Sequence, residues 1–148
     1  MYKYIEVILF FLYKGSTRIA SLNTYSGGVI MKEIWQVMKE HNGYKVSNYG
    51  KIRNIKTRRI LKTTISYKGY ERFIIYINKK PKCFYIHRIV ASNFLDNPNN
   101  YKEINHINEN KLDNRVWNLE YCTSKYNANY GTRNERVLET KRKRGLIK

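Results

Sequence analysis

His106 stands in a register that packing alone does not require: Asn105 precedes it, Asn118 follows twelve positions later and Asn127 nine positions after that. A histidine with its ordinary pKa near 6.5 is largely neutral at cellular pH and can take a proton. Amide oxygens are among the hard ligands that Mg²⁺-like cations accept. Asparagine is abundant in this chain, and the plain alternative is a surface strand histidine among turn-forming asparagines. Residue types and intervals by themselves leave both readings open.

Elements must bring these residues together. Residues 103–107, EINHI, read as a strand with His106 near its end; 110–118, NKLDNRVWN, as an irregular loop; 119–123, LEYCT, as a second short strand; and 124–129, SKYNAN, as a helix of one or two turns. Ser124 is the expected N-cap and Gly131 the expected stop. A hairpin packed on such a helix makes Asn105, His106 and Asn127 converge on one concave point. Hydrolysis of a phosphodiester needs that convergence: a base for water, and a hard cation to neutralise charge on the phosphate and the leaving oxygen.

In these residues the chain resembles the HNH endonucleases, the ββα-metal nucleases. The resemblance implies that His106 is the general base, that Asn105 and Asn127 hold the metal, and that Asn118 pins the loop so that the base points correctly. It implies Mg²⁺ or Mn²⁺, no small-molecule cofactor, and products carrying 5′-phosphate and 3′-hydroxyl. Many relatives have Asp where this chain has Asn105, and often read His-Ile-Asp-Gly-Asn where it has His106-Ile107-Asn108-Glu109-Asn110. Glu109 is therefore expected in a turn that favours φ > 0, a modest strain for a non-glycine residue.

Upstream, residues 33–55, EIWQVMKEHNGYKVSNYGKIRNI, resemble the NUMOD4 motif that often precedes an HNH module in phage-type and intron-associated homing nucleases. Their pattern predicts Trp35 as the anchor of a small core, a strand over 44–47, a turn at Asn48-Tyr49-Gly50 and a returning strand over 51–55. The β pattern continues over 58–62, 70–78 and 82–86, with turns at Tyr67-Lys68-Gly69 and Asn78-Lys79-Lys80-Pro81. Alternation over 70–77 is imperfect, so both faces of that strand are expected to be partly covered. Residues 87–95 read as a short helix with Ile89, Val90 and Phe94 inward, stopped by Asp96-Asn97-Pro98. They resemble the HRLVAxxF segment that leads into the HNH motif. His87 is expected to pack or to contact a phosphate, and His41 carries no signal.

The 148 residues include 29 Lys and Arg against 11 Asp and Glu, a formal charge of +18, for which a polyanion is the natural partner. Lys, Asn, Ile and Tyr all have A/T-rich codons, so the charge supports the motif rather than standing alone. Contacts to double-stranded DNA are expected from Lys45, Lys51, Arg53, Arg58, Arg59, Lys62, Arg72, Arg88, Arg115, Lys125, Arg133, Lys141 and Arg142, cations on a small antiparallel sheet and its flanks. Cys83 and Cys122 lie far apart with no C-x-x-C, so the zinc knuckles of some HNH proteins have no ligands here, no zinc is expected, and reduced thiols in a cytoplasm are the default.

The apolar run over 5–13 is far shorter than the ~20 residues that span a bilayer, and its flanks lack a signal peptide's basic start and cleavage site, so no membrane partner is expected. The codons of Gly27-Gly28 can spell GGAGGT, with Val29-Ile30 supplying the spacer before the ATG of Met31. Translation is expected to start at Met31, which makes residues 1–30 an upstream extension or disordered.

The expected organisation is α+β. A NUMOD4-like, antiparallel β-rich, DNA-contacting lobe over 31–86 precedes the ββα-metal HNH module over 87–131 and a basic tail over 132–148, helical over 135–143. The resemblance implies a metal-dependent DNA endonuclease. One site per chain means that a monomer nicks one strand, and a double-strand cut needs a dimer formed on DNA or two visits. Two alternatives stay open: a non-catalytic DNA-binding protein that keeps the fold, against which intact His106, Asn118 and Asn127 argue, and a ribonuclease.

Overall fold

The computed structural model describes residues 32–146 with their side chains, apart from that of Arg133, and three upstream strands as backbone only. These are β1 (Ile5–Tyr13), β2 (Ser16–Tyr25) and β3 (Gly28–Met31), paired antiparallel in a sheet of their own. The sequence pattern predicts an apolar run and then a loop-like passage there. The remainder of the expected upstream extension lies outside the described residues.

Three short strands, β4 (Trp35–Val37), β5 (Tyr44–Ser47) and β6 (Ile52–Asn54), form an antiparallel sheet in chain order. The β5–β6 turn closes as expected, with Gly50 at φ +87° and the Ser47 hydroxyl accepting from the backbone N–H of Tyr49 and Lys51. Buried Asn48 ties the entry of β4 to that turn: its Oδ1 accepts from Ile34 N–H at 2.9 Å and its Nδ2 donates to Lys32 O at 3.0 Å. Trp35 is not the core anchor. It is half-buried on an edge strand with the Arg53 guanidinium 4.2 Å over its ring, and Met38, Val46 and Ile52 fill the interior instead.

Residues 58–62 do not form the expected strand, because Arg58 sits at φ +58°, and the segment contributes a single bridge, Arg53 to Ile60. The next sheet is built from β7 (Thr64–Ile65), β8 (Glu71–Ile77) and β9 (Lys80–Tyr85). Asn78 and Lys79, at φ +51° and +61°, make a two-residue turn of the kind whose twist matches the flanking strands. Pairing therefore resumes at Lys80, earlier than expected, with Pro81 on the outer strand of the sheet, a position it tolerates. β8 alternates cleanly: Phe73 and Ile75 are buried, whereas Ile74 and Tyr76 are 50% and 72% exposed, so one face is covered rather than both in part.

Apolar positions 86, 89, 90 and 94 recur at helical spacing, and α1 (Ile86–Phe94) buries that stripe as expected. The helix packs against β5, β8, β9 and the hairpin that follows it. Phe73, Ile75, Ile86, Ile89, Val90, Phe94, Ile104, Val116 and Leu119 join Met38, Val46 and Ile52 in one core that the segments on both sides of α1 share. Each such side chain contributes about 1.5–3 kcal/mol by leaving water. The hairpin is β10 (Glu103–His106) against β11 (Leu119–Cys122), entered through a 3-10 turn over Val116–Asn118. Then come α2 (Ser124–Asn129) and α3 (Arg133–Lys143). The cap of α2 is Thr123, one residue before the expected Ser124, with its hydroxyl accepting from Tyr126 N–H. Gly131 follows at φ +56°, the left-handed stop that the sequence predicts. No helix among the described residues is long and apolar enough to cross a membrane.

Candidate active site

The register of β10 on β11 sets Asn105 opposite Glu120 and His106 opposite Leu119, and α2 brings Asn127 across to them. Asn105, His106 and Asn127 line one cleft of about 340 Å³, together with Tyr70, Ile104, Glu109, Lys111, Tyr130 and Arg136. Asn118 stands behind the cleft and holds its wall. Its Oδ1 accepts from Asn108 N–H at 2.9 Å, its Nδ2 donates to Asn108 Oδ1 and to Asp113 O at 2.8 Å each, and its backbone oxygen accepts from Ile107 N–H at 2.8 Å.

His106 is buried, with Nε2 3.1 Å from Asn114 Oδ1. Burial holds its pKa below the ordinary value; the bond to Asn114 and the nearby charge of Asp113 oppose that shift, and Lys111 adds to it. The neutral ring is thereby favoured, as a base requires. His87 lies beside it, ring centroids 5.3 Å apart, packed against Tyr70 and Tyr85. Burial first, then the neighbouring His106 and Arg88, push its pKa down to about 3. Of the two roles expected for His87, its burial among these rings fits packing.

Around the residue expected to hold a metal, Asn105 Nδ2 donates to Glu120 Oε1 at 2.8 Å, which turns the other arm of the amide, Oδ1, away from Glu120. Glu120 is itself buried and accepts a second bond from the Tyr126 hydroxyl at 3.1 Å. Two neutral amide oxygens with a carboxylate one hydrogen bond behind them suit a hard cation whose remaining ligands are water and phosphate. Among the described residues no three His, Cys, Asp or Glu side chains gather as a denser metal cage.

Glu109 has the expected left-handed backbone, φ +60°. Its carboxylate turns toward α3, accepting from Thr132 N–H and Oγ1 at 2.9 Å each and from Arg136 at 2.6 Å. Those bonds, the Thr132 N–H foremost, hold its pKa below the usual carboxylate range. It passes so close over Gly131 that a Cβ there would lie 1.9 Å from Oε1. Asp113 is similarly engaged, in two 2.6 Å bonds from Arg115 that keep its pKa low.

The expected DNA-contacting cations are spread over several elements. Arg58, Arg59, Lys62 and Lys125 are exposed, as are Lys141 and Arg142 on α3, while Lys45 is half-buried in β5. Others already have protein partners: Lys51 with Glu33, Arg53 over Trp35, Arg88 on Lys102 O, Arg115 on Asp113, and Arg72 4.0 Å from Cys83 Sγ. The side chain of Arg133 is outside the described set. Sequence reasoning missed Asn114, Glu120, Lys111 and Arg136 as members or supports of the site. Asn114 and Lys111 lie inside the loop that it marked, whereas cross-strand Glu120 needed the register, and Arg136 needed the fold of the tail.

Residues 33–76 match the NUMOD4 motif and residues 84–129 match the HNH endonuclease family. An uncharacterized HNH endonuclease of Acanthamoeba polyphaga mimivirus is 39% identical over 100 residues, covering 68% of this chain and 30% of that protein. The DNA endonuclease I-HmuI of Bacillus phage SP01 is 35% identical over 95 residues, covering 64% of this chain and 55% of that one. The chain thus spans about a third to a half of the length of these curated relatives. A solved structure titled DNA binding and cleavage by the HNH homing endonuclease I-HmuI superposes with a TM-score of 0.53 at 30% identity, covering 78% of this chain and 61% of that one.

Proposed function

We propose that this chain, a member of the HNH endonucleases with a NUMOD4 motif ahead of its HNH module, hydrolyses phosphodiester bonds in DNA with a divalent metal ion and a histidine-activated water. One observation carries the reading: Asn105 and His106 on β10 and Asn127 on α2 line one cleft. A cation such as Mg²⁺ or Mn²⁺ held by Asn105 and Asn127 would neutralise charge on the phosphate and leaving oxygen. His106 takes the proton from water, and Asn118 keeps the loop from turning the ring away. Among the cations, Arg58, Arg59 and Lys62 carry duplex affinity through phosphates rather than chemistry. DNA is favoured over RNA because the I-HmuI structure is titled for DNA binding and cleavage. With one site per chain, a monomer nicks one strand.

Replacing His106→Ala tests this. Cleavage of supercoiled plasmid should fall by about 10³-fold or more while duplex affinity stays within a few fold, because the base acts on chemistry and the cations act on binding. Full activity in that variant would sink the assignment, and preferential cleavage of a competing RNA would move the protein to the ribonucleases.

A further inference from the structure

We infer that Glu71 and Asn114 are positioning residues that set the tautomer of His106, so that β8, which lies outside the HNH match, determines which ring nitrogen can act as the base. The inference rests on the proposed role of His106 and adds to it.

The assignment follows link by link from donor and acceptor chemistry. Glu71, on β8, accepts from Asn114 at 2.8 Å through Oε2 and from Thr63 Oγ1 at 2.5 Å through Oε1. A carboxylate offers acceptors only, so the arm of Asn114 that meets it must be the NH₂. Leu112 O, 3.4 Å from the same Nδ2, selects the same orientation. The other arm, Oδ1, then faces His106 Nε2 at 3.1 Å, and an amide oxygen only accepts. Nε2 must therefore carry the proton, and Nδ1 is left with the lone pair. Without Glu71 only the longer contact to Leu112 O would favour this orientation of the Asn114 amide, and the other tautomer would become accessible.

The surroundings hold this relay in place. Asn114 is buried, and the turn at Gly50 presses on it: a Cβ at Gly50 would stand 3.1 Å from Asn114 Cβ and 3.1 Å from Ile86 Cγ2. Val116 N–H also donates to Asn48 O at 2.8 Å, pinning the end of the same loop to the same turn. Residues 33–76, the NUMOD4 match, thus supply both the carboxylate and the clamp for a base that belongs to the other segment. A histidine fixed in its tautomer by a carboxylate works when the reactive nitrogen is the unprotonated one, and loses orders of magnitude when the tautomer is wrong.

Nitrogen-15 NMR of the full-length, metal-free protein at pH 8 tests this without turnover. The chain has three histidines, and the His106→Ala spectrum assigns the ring signals. Wild type should show His106 with a protonated Nε2 and an unprotonated Nδ1; the opposite tautomer would overturn the inference outright. In Glu71→Gln the new amide can donate to Asn114, freeing the latter to turn its NH₂ toward His106. The Nε2–H form should then lose population and kcat should fall by about 10²-fold with KM and duplex affinity unchanged. An unchanged tautomer and kcat in that folded variant would remove Glu71 from the relay. Asn114→Asp made together with Glu71→Gln, which retains an acceptor toward His106 and a donor behind it, should keep the Nε2–H form, whereas Asn114→Ala should lose it; equal tautomer populations in these two variants would also refute the relay. If wild type shows the expected tautomer yet His106→Ala still cuts, the general-base reading fails while the tautomer assignment stands, so the two can be separated.

Discussion

Of the irregular loops that join strands among the described residues, two are built in opposite ways. The loop over 107–115 is saturated with side-chain bonds: Asn118 and Asn108 face each other through paired amides, the Asn110 side chain accepts from Leu112 N–H, and Asp113 binds Asn108 and Arg115. The loop over 55–63 has fewer: Asn54 Oδ1 accepts from Thr57 N–H at 2.9 Å, Thr57 Oγ1 accepts from Arg59 N–H at 3.5 Å and Thr63 Oγ1 donates to Glu71 at 2.5 Å, and between them stand exposed Lys56, Arg58, Arg59 and Lys62. Asparagine has donors and acceptors on a short stem and can lock backbone in a single arrangement. Lysine and arginine hold charge on long stems that adjust to a phosphate. One loop is made for fixed geometry and the other for adaptable charge.

The largest effect should come from breaking the closed loop. Asn118→Ala removes three side-chain bonds at once and leaves Asn108 N–H and Asp113 O without that partner. Cleavage should fall about 10²- to 10³-fold, with duplex affinity little changed, because an ångström-scale misplacement of the base has that order of cost. Single-turnover kinetics beside a binding titration separate the two. A parallel loss of affinity would mean that this loop also holds the DNA.

Beneath the closed loop, buried His87 should make stability sensitive to acid. Its folded pKa of about 3 lies below the unfolded 6.5, so the unfolded chain binds the extra proton and stability is lost as pH falls through that window. The cost reaches about 3 kcal/mol by pH 4, at 1.36 kcal/mol per unit. Depressed Glu109 and Asp113 act in the same direction, with stability present above their unfolded pKa values and lost on acidification. His87→Leu should flatten the curve by the histidine's share in urea titrations at pH 7 and pH 4; an unchanged pH slope would show that the ring is charged or open to solvent in the folded state.

The open loop predicts a smaller, separate response. Arg59→Ala with Lys62→Ala should weaken duplex binding about tenfold and lower the salt slope by about one unit for each phosphate left without its cation, with the single-turnover rate at saturation unchanged. An unchanged salt slope would place the duplex elsewhere, and a fall in rate at saturation would give these cations a part in the chemistry.

The sequence disclosed the site better than it disclosed the sheet, for a physical reason. His106, Asn118 and the two proposed metal ligands fall in one stretch of 23 residues, Asn105 to Asn127, short enough for a local motif and the family resemblance to mark them together. Glu109's positive φ was legible because a turn position that glycine favours is a local property. Arg58 was read as strand, and the turn at Asn78-Lys79 was drawn two residues too long, because no glycine marked the left-handed backbone there. Glu71 was out of reach: it lies 43 residues from the asparagine it orients, and only tertiary packing brings them together.

The finest distinction lies within the cleft, between the side of the base and the side of the metal. His106 is held from behind by neutral Asn114, and Asn105 is held from behind by the buried carboxylate of Glu120. Neutral Asn105 and Asn127 should bind Mg²⁺ weakly until DNA supplies a phosphate, since Mg²⁺ sheds water reluctantly and relies on carboxylates or phosphates. Asn105→Asp supplies the charge common in relatives, but it also converts a 2.8 Å hydrogen bond into two carboxylates facing each other. Like charges at that distance cannot both ionise readily, so one is protonated or a cation must sit between them. The variant should therefore lose stability without metal, recover it with Mg²⁺, and lower the Mg²⁺ concentration for half-maximal cleavage several-fold. Adding Glu120→Gln restores a donor to the new carboxylate, and should regain metal-free stability while keeping the tighter binding. Calorimetry of the free proteins and Mg²⁺ titrations of cleavage measure both quantities. Tight Mg²⁺ binding by the unmodified free protein would show instead that Glu120 itself reaches the cation, with Asn105 as its neighbour rather than the ligand.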